Sequence, residues 1–327
     1  MAQSMKIVML GAGGWGALVG AYLTRAGADV TLLFRRQAHV DAIRKSGLVV
    51  EGEENFTIAV NATANPAEVA EPDLLIVAVK NQDTDAALDS VSHLKQIGAV
   101  LSVQNGLGQE EKLSRRFPRQ QVLGMVSRIA GSLLDYGRVR RGDRDFPTWV
   151  GDPHRGITPL VSEITELFNK SGLPCFSTED IRGVEWTKVL WWVPSSLTAV
   201  LTRLAQTQLM QIPELAYLVV MMTREGVTVA ERMGIQLRDY PTIEIMDRCR
   251  GAVEEGVASV MAQGKAWEEH GGKGYKQAML LDVERGRKTE VEETAGYLVR
   301  RAEEFGLTVP FLETGYHVVR GLEQAIA

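Results

Sequence analysis

The rhythm of apolar and polar positions changes partway along the chain. Up to about residue 176 short apolar runs alternate with helix-like patterns, whereas beyond Ser177 apolar positions recur almost only at spacings of three and four. The first run, Lys6-Ile-Val-Met-Leu, has strand length; after Gly11, Gly13 and Gly16, residues Leu18, Val19, Tyr22 and Leu23 recur at helical spacing. Residues 29–34 read as a second strand, completing a strand-helix-strand unit. Asp73-Leu-Leu-Ile-Val-Ala-Val-Lys80 and Ala99-Val-Leu-Ser-Val-Gln-Asn105 are continuous apolar runs, the pattern of parallel strands buried on both faces. Leu48–Glu51 and residues 56–60 flank Gly52 as a hairpin decorating that sheet, and glycine-broken β-like segments over residues 121–151 are expected to close it. A helix over 158–170 and a short strand over 173–176 follow. Beyond them helices are expected over 181–192, 196–204, 214–233, 253–262 and 291–305. The fold class is therefore α/β, a Rossmann-type doubly wound parallel sheet over residues 1–177, followed by an all-α C-terminal domain over residues 178–327.

The glycine turn carries the first chemistry. In the spacing G-x-G-x-x-G, Gly11 permits the tight turn, Gly13 lets backbone approach a pyrophosphate, and Gly16 lets helix and strand pack closely. Ala12, Gly14 and Trp15 complete the stretch, whose free N–H groups at the positive helix end suit phosphate. Glycine turns also serve plain packing, but the flanking strands and helix favour a dinucleotide. After the second strand stands Arg35-Arg36, where an acidic residue would hold the ribose hydroxyls of NAD; arginine suits the 2′-phosphate of NADP instead. Lys80 and Asn105 emerge at the carboxyl ends of buried strands, the rim where open α/β sheets bind ligands. A surface lysine and a turn-forming asparagine fit the same positions.

Composition narrows the partners. The 327 residues are 45% hydrophobic, enough for two cores, and 36 Lys+Arg against 41 Asp+Glu give a net charge of -5 with no basic tract for nucleic acid or an anionic membrane. Cys175 and Cys249 are far apart and form no ligand spacing with the five histidines, so no metal is expected. The apolar runs are shorter than the roughly 18 residues a bilayer span needs, and no signal-peptide pattern precedes the first strand. A cytoplasmic location is the expectation.

The helix after Ser177 holds a charge where an apolar side chain is due. Ser177 is expected to cap it, with Asp180 near its positive end, and Ile181, Val184, Lys188 and Trp191 or Trp192 form its inward stripe. Burial there would lower the pKa of Lys188 toward that of a general acid working near neutrality, while a lysine laying its stem on apolar surface fits the pattern too.

Taken together, these residues resemble the ketopantoate reductase (2-dehydropantoate 2-reductase) family over nearly the whole chain. The resemblance rests on the Gly11 to Gly16 turn, Arg35, Val79-Lys80, Gln104-Asn105-Gly106, Trp186-Thr-Lys188, Leu197-Thr-Ala199, and Met279-Leu-Leu-Asp282 through Gly286-Arg287 to Thr289-Glu290. It implies NADP(H) as cofactor and hydride delivery to the carbonyl of a 2-oxo acid, converting 2-dehydropantoate to pantoate. It implies that Lys188 donates the proton, that Lys80 and Asn105 contact cofactor and substrate, and that Glu290 hydrogen-bonds beside the ribose and the lysine. A strand residue around Ala130 is implied to touch the nicotinamide side.

The departures concern the substrate. Trp192 stands one turn after the lysine where the family has an asparagine, Gln206 falls where a second asparagine is usual, and Ala278 replaces a serine. Ser195 and Ser196 are candidates to supply the missing hydrogen bonds. The expected partner is a small 2-oxo acid or a related, more apolar carbonyl compound, with homodimer assembly left open. A catalytically silent NADP-binding sensor is the alternative from another class.

Overall fold

The computed structural model describes residues 4–142 and 146–326, and the chain divides into two compact units. Met1–Gln104 with Gln109–Ile181 form an α/β unit; Asn105–Gly108 with Arg182–Ala327 form a helical one. The division falls just beyond Ser177, and it assigns Asn105, which follows a sheet strand in the chain, to the helical unit.

The α/β unit contains β1 (Lys6–Leu10), β2 (Asp29–Leu33), β3 (Leu48–Glu51), β4 (Phe56–Ile58), β5 (Asn61–Thr63), β6 (Leu74–Val77), β7 (Ala99–Ser102), β8 (Val122–Ser127), β9 (Gly131–Asp135), β10 (Arg138–Arg141), β11 (Thr148–Gly151) and β12 (Cys175–Ser177). Eight of them make one sheet in the order β12-β11-β8-β7-β6-β1-β2-β5. Neighbours run parallel except β11, which is antiparallel to β8. The central runs lack polar alternation because both faces are covered. Ile7, Met9, Leu74 and Ile76 enter one core with the Gly14–Arg25 and Pro159–Ser171 helices, while Val8, Leu10, Leu75 and Val77 enter another with Leu88 and Leu113. Fully burying each such side chain contributes about 1.5–3 kcal/mol. Thr158 caps the Pro159–Ser171 helix, its side chain accepting from Val161 N at 3.3 Å.

Three expectations are corrected here. The hairpin β3-β4 does not decorate the large sheet but belongs to a four-stranded one, in the order β4-β3-β10-β9. Only β8 and β11, of the segments expected over residues 121–151, join the large sheet; residues 143–145 of that span lie outside the described residues. β10 alternates exposed Arg138 and Arg140 with buried Val139 and Arg141, a pattern for a sheet with one wet face rather than a buried central strand. Ser177 does not cap the following helix either: it lies in β12, paired with Val150, and Thr178 Oγ1 accepts from Asp180 N at 3.1 Å instead.

In the helical unit, residues 181–192 and 196–204 are not separate helices. A single helix runs Ile181–Thr202 with Pro194 inside it. It crosses the Pro213–Arg232 helix where Gly226 leaves room for Leu190, whose Cδ2 stands 2.2 Å from where a Cβ would be. Val253–Trp267, Ala295–Glu304 and Pro310–Ile326 complete the longer helices, and short ones at Gln206–Met210 and Ala278–Glu284 have too few turns for a periodicity to show. Their common core includes Val189, Leu190, Val193, Leu197, Val220 and Leu298.

Candidate functional site

In the α/β unit the candidate surface is backbone. Gly11 has φ +101, and a Cβ there would meet Val79 N at 2.7 Å, so both the turn and the close approach require glycine. Gly16 leaves 2.5 Å between its would-be Cβ and Gly11 O, and Gly14 and Gly131 exclude side chains from each other reciprocally, at 2.2 and 2.4 Å. Gly13 differs: among the described residues, its chain neighbours aside, nothing stands within 4 Å of its Cβ position. The helix beginning at Gly14 has no side-chain cap bond and no acidic residue in its first turn, and Ala17 N to Gly13 O, 2.9 Å, opens its ladder. The N–H groups before Ala17 thus have no ladder partner, and a helix start with unpartnered N–H groups fits the pyrophosphate of a dinucleotide. Ala12 is tied to the sheet through its N–H to Leu33 O at 3.0 Å, and Trp15 Nε1 donates to Ser127 Oγ at 3.0 Å.

Along the strand rim, Arg35 is exposed and makes no hydrogen bond or ion pair among the described residues. Lys80, also exposed, precedes the turn Asn81–Asp83. Gln104, not singled out as a site residue from sequence, fixes this rim by donating from Nε2 to Val79 O (2.7 Å) and Thr84 Oγ1 (2.8 Å). Ala130 is corrected from a strand residue to an exposed position between β8 and β9, where its carbonyl accepts from Gly142 N at 2.9 Å.

In the helical unit the candidate surface is side chains. Half-buried Lys188, on the Ile181–Thr202 helix, donates from Nζ to Asn105 Oδ1 at 3.0 Å, and Asn105 Nδ2 donates to Glu290 Oε2 at 3.1 Å. An ammonium can only donate and a carboxylate only accept, so the amide between them has its orientation set from both sides. Asn105 is held by the backbone after it. Gly106 (φ +104) packs against Glu293 O, and Leu107 N donates to that same carbonyl at 3.0 Å. Glu290 is held by Thr294, whose Oγ1 donates to Glu290 O at 2.7 Å. Three distant stretches thus converge on a chain of lysine, amide and carboxylate, able to deliver a proton and to restrain the group that delivers it.

The positions expected to shape the substrate site do not behave alike. Trp192, one helical turn from Lys188, is half-buried, and Ala278 is exposed at the first position of its helix. Gln206 is only 4% exposed; its Oε1 accepts from Gln277 Nε2 and its Nε2 lies 3.2 Å from Met210 Sδ. Ser196 is fully buried with its hydroxyl unpartnered among the described residues, and Ser195 donates to Trp192 O at 3.0 Å while accepting from Gln277 at 3.1 Å. Gln277 was missed from sequence; a polar residue two positions before Met279-Leu-Leu was its only signal. Burial pushes the Cys175 thiol up to about 12 and Cys249 to about 11, which leaves neither a thiolate near neutral pH.

Residues 7–155 match the family model described as ketopantoate reductase PanE/ApbA, and residues 180–323 match the model of its C-terminal domain. The chain belongs to this family. It is therefore an oxidoreductase. A 2-dehydropantoate 2-reductase of Pyrococcus horikoshii is 32% identical over 308 residues, covering 94% of this chain and 93% of that one. A family ketopantoate reductase of known structure from Ralstonia eutropha JMP134 superposes with a TM-score of 0.82 at 25% identity, covering 98% of this chain and 99% of that one. The fold is also shared by a D-mandelate dehydrogenase, TM-score 0.84 at 19% identity, with 98% and 99% covered. No described helix is long and apolar enough to cross a membrane.

Proposed function

We propose that this family member reduces the carbonyl of a 2-oxo acid with NADPH, using Lys188 as proton donor. The observation that carries the reading is the Lys188–Asn105–Glu290 chain, in a chain whose relatives are named as reductases of a 2-oxo acid. The uncapped helix at Gly14 and the open face of Gly13 would hold the pyrophosphate, and Arg35, exposed after β2, would meet the 2′-phosphate. When bound, the dihydronicotinamide supplies the hydride. The chain's own work is at the oxygen: as negative charge develops there, the Lys188 ammonium stabilises it and gives up a proton. Asn105 orients the donor through its amide oxygen, and Glu290 anchors the amide. Lys80 adds a positive charge at the rim.

A changed substrate is the second reading, and specific observations favour it. Gln206, Ser195 and Ser196 are buried, the first two in hydrogen bonds within the protein, and Ala278 has no hydroxyl. A site without polar partners stops rejecting ligands that lack the matching groups, and the Trp192 indole offers an apolar face in place of an amide. We infer that the preferred substrate is a more apolar 2-oxo acid than ketopantoate. NADPH oxidation against a panel of 2-oxo acids tests both readings. Turnover of an apolar member with poor use of ketopantoate is expected; efficient ketopantoate turnover sinks the second reading, and no turnover with any member leaves a cofactor-binding sensor.

A further inference from the structure

Arg248 is an expensive residue to bury. It is 1% exposed, sits on the short Met246–Cys249 helix, and makes no ion pair with a carboxylate among the described residues. Nη1 donates to Trp191 O at 3.2 Å, Nη2 donates to Gln263 Oε1, and Nε has no partner among the described residues. Burial pulls the guanidinium pKa down to about 10, with Asp239 and Glu244 offsetting only part of it. The acceptor on Trp191 explains the placement. Pro194 has no N–H for Leu190 O, and its ring crowds that carbonyl, so the Ile181–Thr202 ladder opens just before the proline. One donor from outside the helix meets this turn: Arg248 reaches Trp191 O, next to Leu190 O, whereas Thr223 Oγ1, 3.5 Å from Leu190 O, gives its one proton to Val219 O at 2.7 Å. Arg248 is itself fixed, since Arg224 Nε donates to its carbonyl at 3.0 Å and Arg224 Nη2 to those of Gly251 and Ala252 at 3.1 and 3.0 Å.

The braced turn lies between Lys188 and Pro194 and carries Trp192, so its rotation sets where the ammonium and the indole stand. We propose that Arg248 is a positioning residue, a brace on the helical turn before Pro194 that sets the placement of Lys188 and Trp192. This deepens the proposed reductase function and rests on its assignment of Lys188. The test reads Lys188 directly, by competitive labelling with acetic anhydride and mass spectrometry, normalised to exposed Lys45 of the α/β unit in the same molecule. Arg248→Met should change the Lys188 labelling rate roughly threefold or more and lower kcat by about ten- to a hundredfold, with NADPH affinity unchanged. Adding Pro194→Ala, which returns an N–H to the ladder and removes the crowding ring, should bring both readouts back toward the parent. If Arg248→Met does not fold, Arg248→Lys, which keeps the charge but loses the fork, should shift labelling in the same direction. Unchanged Lys188 labelling in a folded variant, or a double variant no closer to the parent than Arg248→Met, overturns the proposal. Labelling does not depend on turnover, so failure of the reductase reading shows separately as a parent inactive on every 2-oxo acid.

Discussion

In the α/β unit the candidate surface is made by what is absent. Gly11, Gly14 and Gly16 have no room for a Cβ, Gly13 has room but no neighbour, and the helix end lacks a capping side chain. In the helical unit the surface is made by side chains from three stretches, residues 105, 188 and 290, each aimed by a neighbour. The contrast separates binding from chemistry. Backbone N–H groups recognise a phosphate that every dinucleotide carries, whereas a side-chain constellation can be altered one residue at a time. The α/β unit can therefore keep its ligand while the helical unit changes substrate, which is the pattern that Trp192, Gln206 and Ala278 suggest.

Mutations that separate binding from turnover test this contrast. Lys188→Ala should lower kcat by about 100-fold or more while leaving NADPH affinity nearly unchanged; loss of affinity alongside kcat, in a titration of NADPH fluorescence, would blur the division. Within the turn, adjacent glycines should fail differently. Gly13→Ala places a methyl in the open face and should weaken NADPH binding about tenfold with little change in melting temperature. Gly14→Ala drives a methyl into Gly131 O and should cost about 1–3 kcal/mol in a denaturant titration. Equal stability in the two variants would mean the helix can shift and the packing argument is wrong.

Much of this was legible because its causes are local. A parallel strand covered on both faces reads as an unbroken apolar run, and β1, β6 and β7 were found that way. Lys188 was visible as a charge in an apolar stripe and Asn105 as a polar residue at the end of a buried strand, while the importance of Glu290 came from family resemblance, since nothing local links residues so far apart. Sheet membership was not legible: β10 alternates like any half-wet strand, and only its pairing with β3 and β9 places it in the smaller sheet. Helices were expected over 181–192 and 196–204 where one runs Ile181–Thr202, and the donor that reaches the turn before Pro194, Arg248 to Trp191 O, lies in a distant segment. Gln206 was named because it falls where the family has a second asparagine, and its hydrogen bond with Gln277 was not legible because Gln277 had no signature of its own.

Smaller effects refine the comparison. Arg35→Ala should narrow the preference for NADPH over NADH by about tenfold, the scale of one charge-assisted hydrogen bond; equal affinities for the two cofactors in the unmutated protein would remove the 2′-phosphate argument. Trp192→Asn combined with Ala278→Ser should raise kcat/KM for ketopantoate several-fold, roughly the scale of restoring one polar contact. A double variant no better on ketopantoate would place the discrimination elsewhere in the helical unit.

The central claim is hydride delivery to a 2-oxo acid with the proton coming from the protein, and isotope transfer tests it most directly. The protein is incubated with NADPH deuterated at C4 and an apolar 2-oxo acid, and the product is read by mass spectrometry. The account predicts a 2-hydroxy acid carrying deuterium on the former carbonyl carbon, formed at a rate that collapses in Lys188→Ala. NADPH consumed without label in the product, or a labelled product formed equally fast by Lys188→Ala, would contradict it.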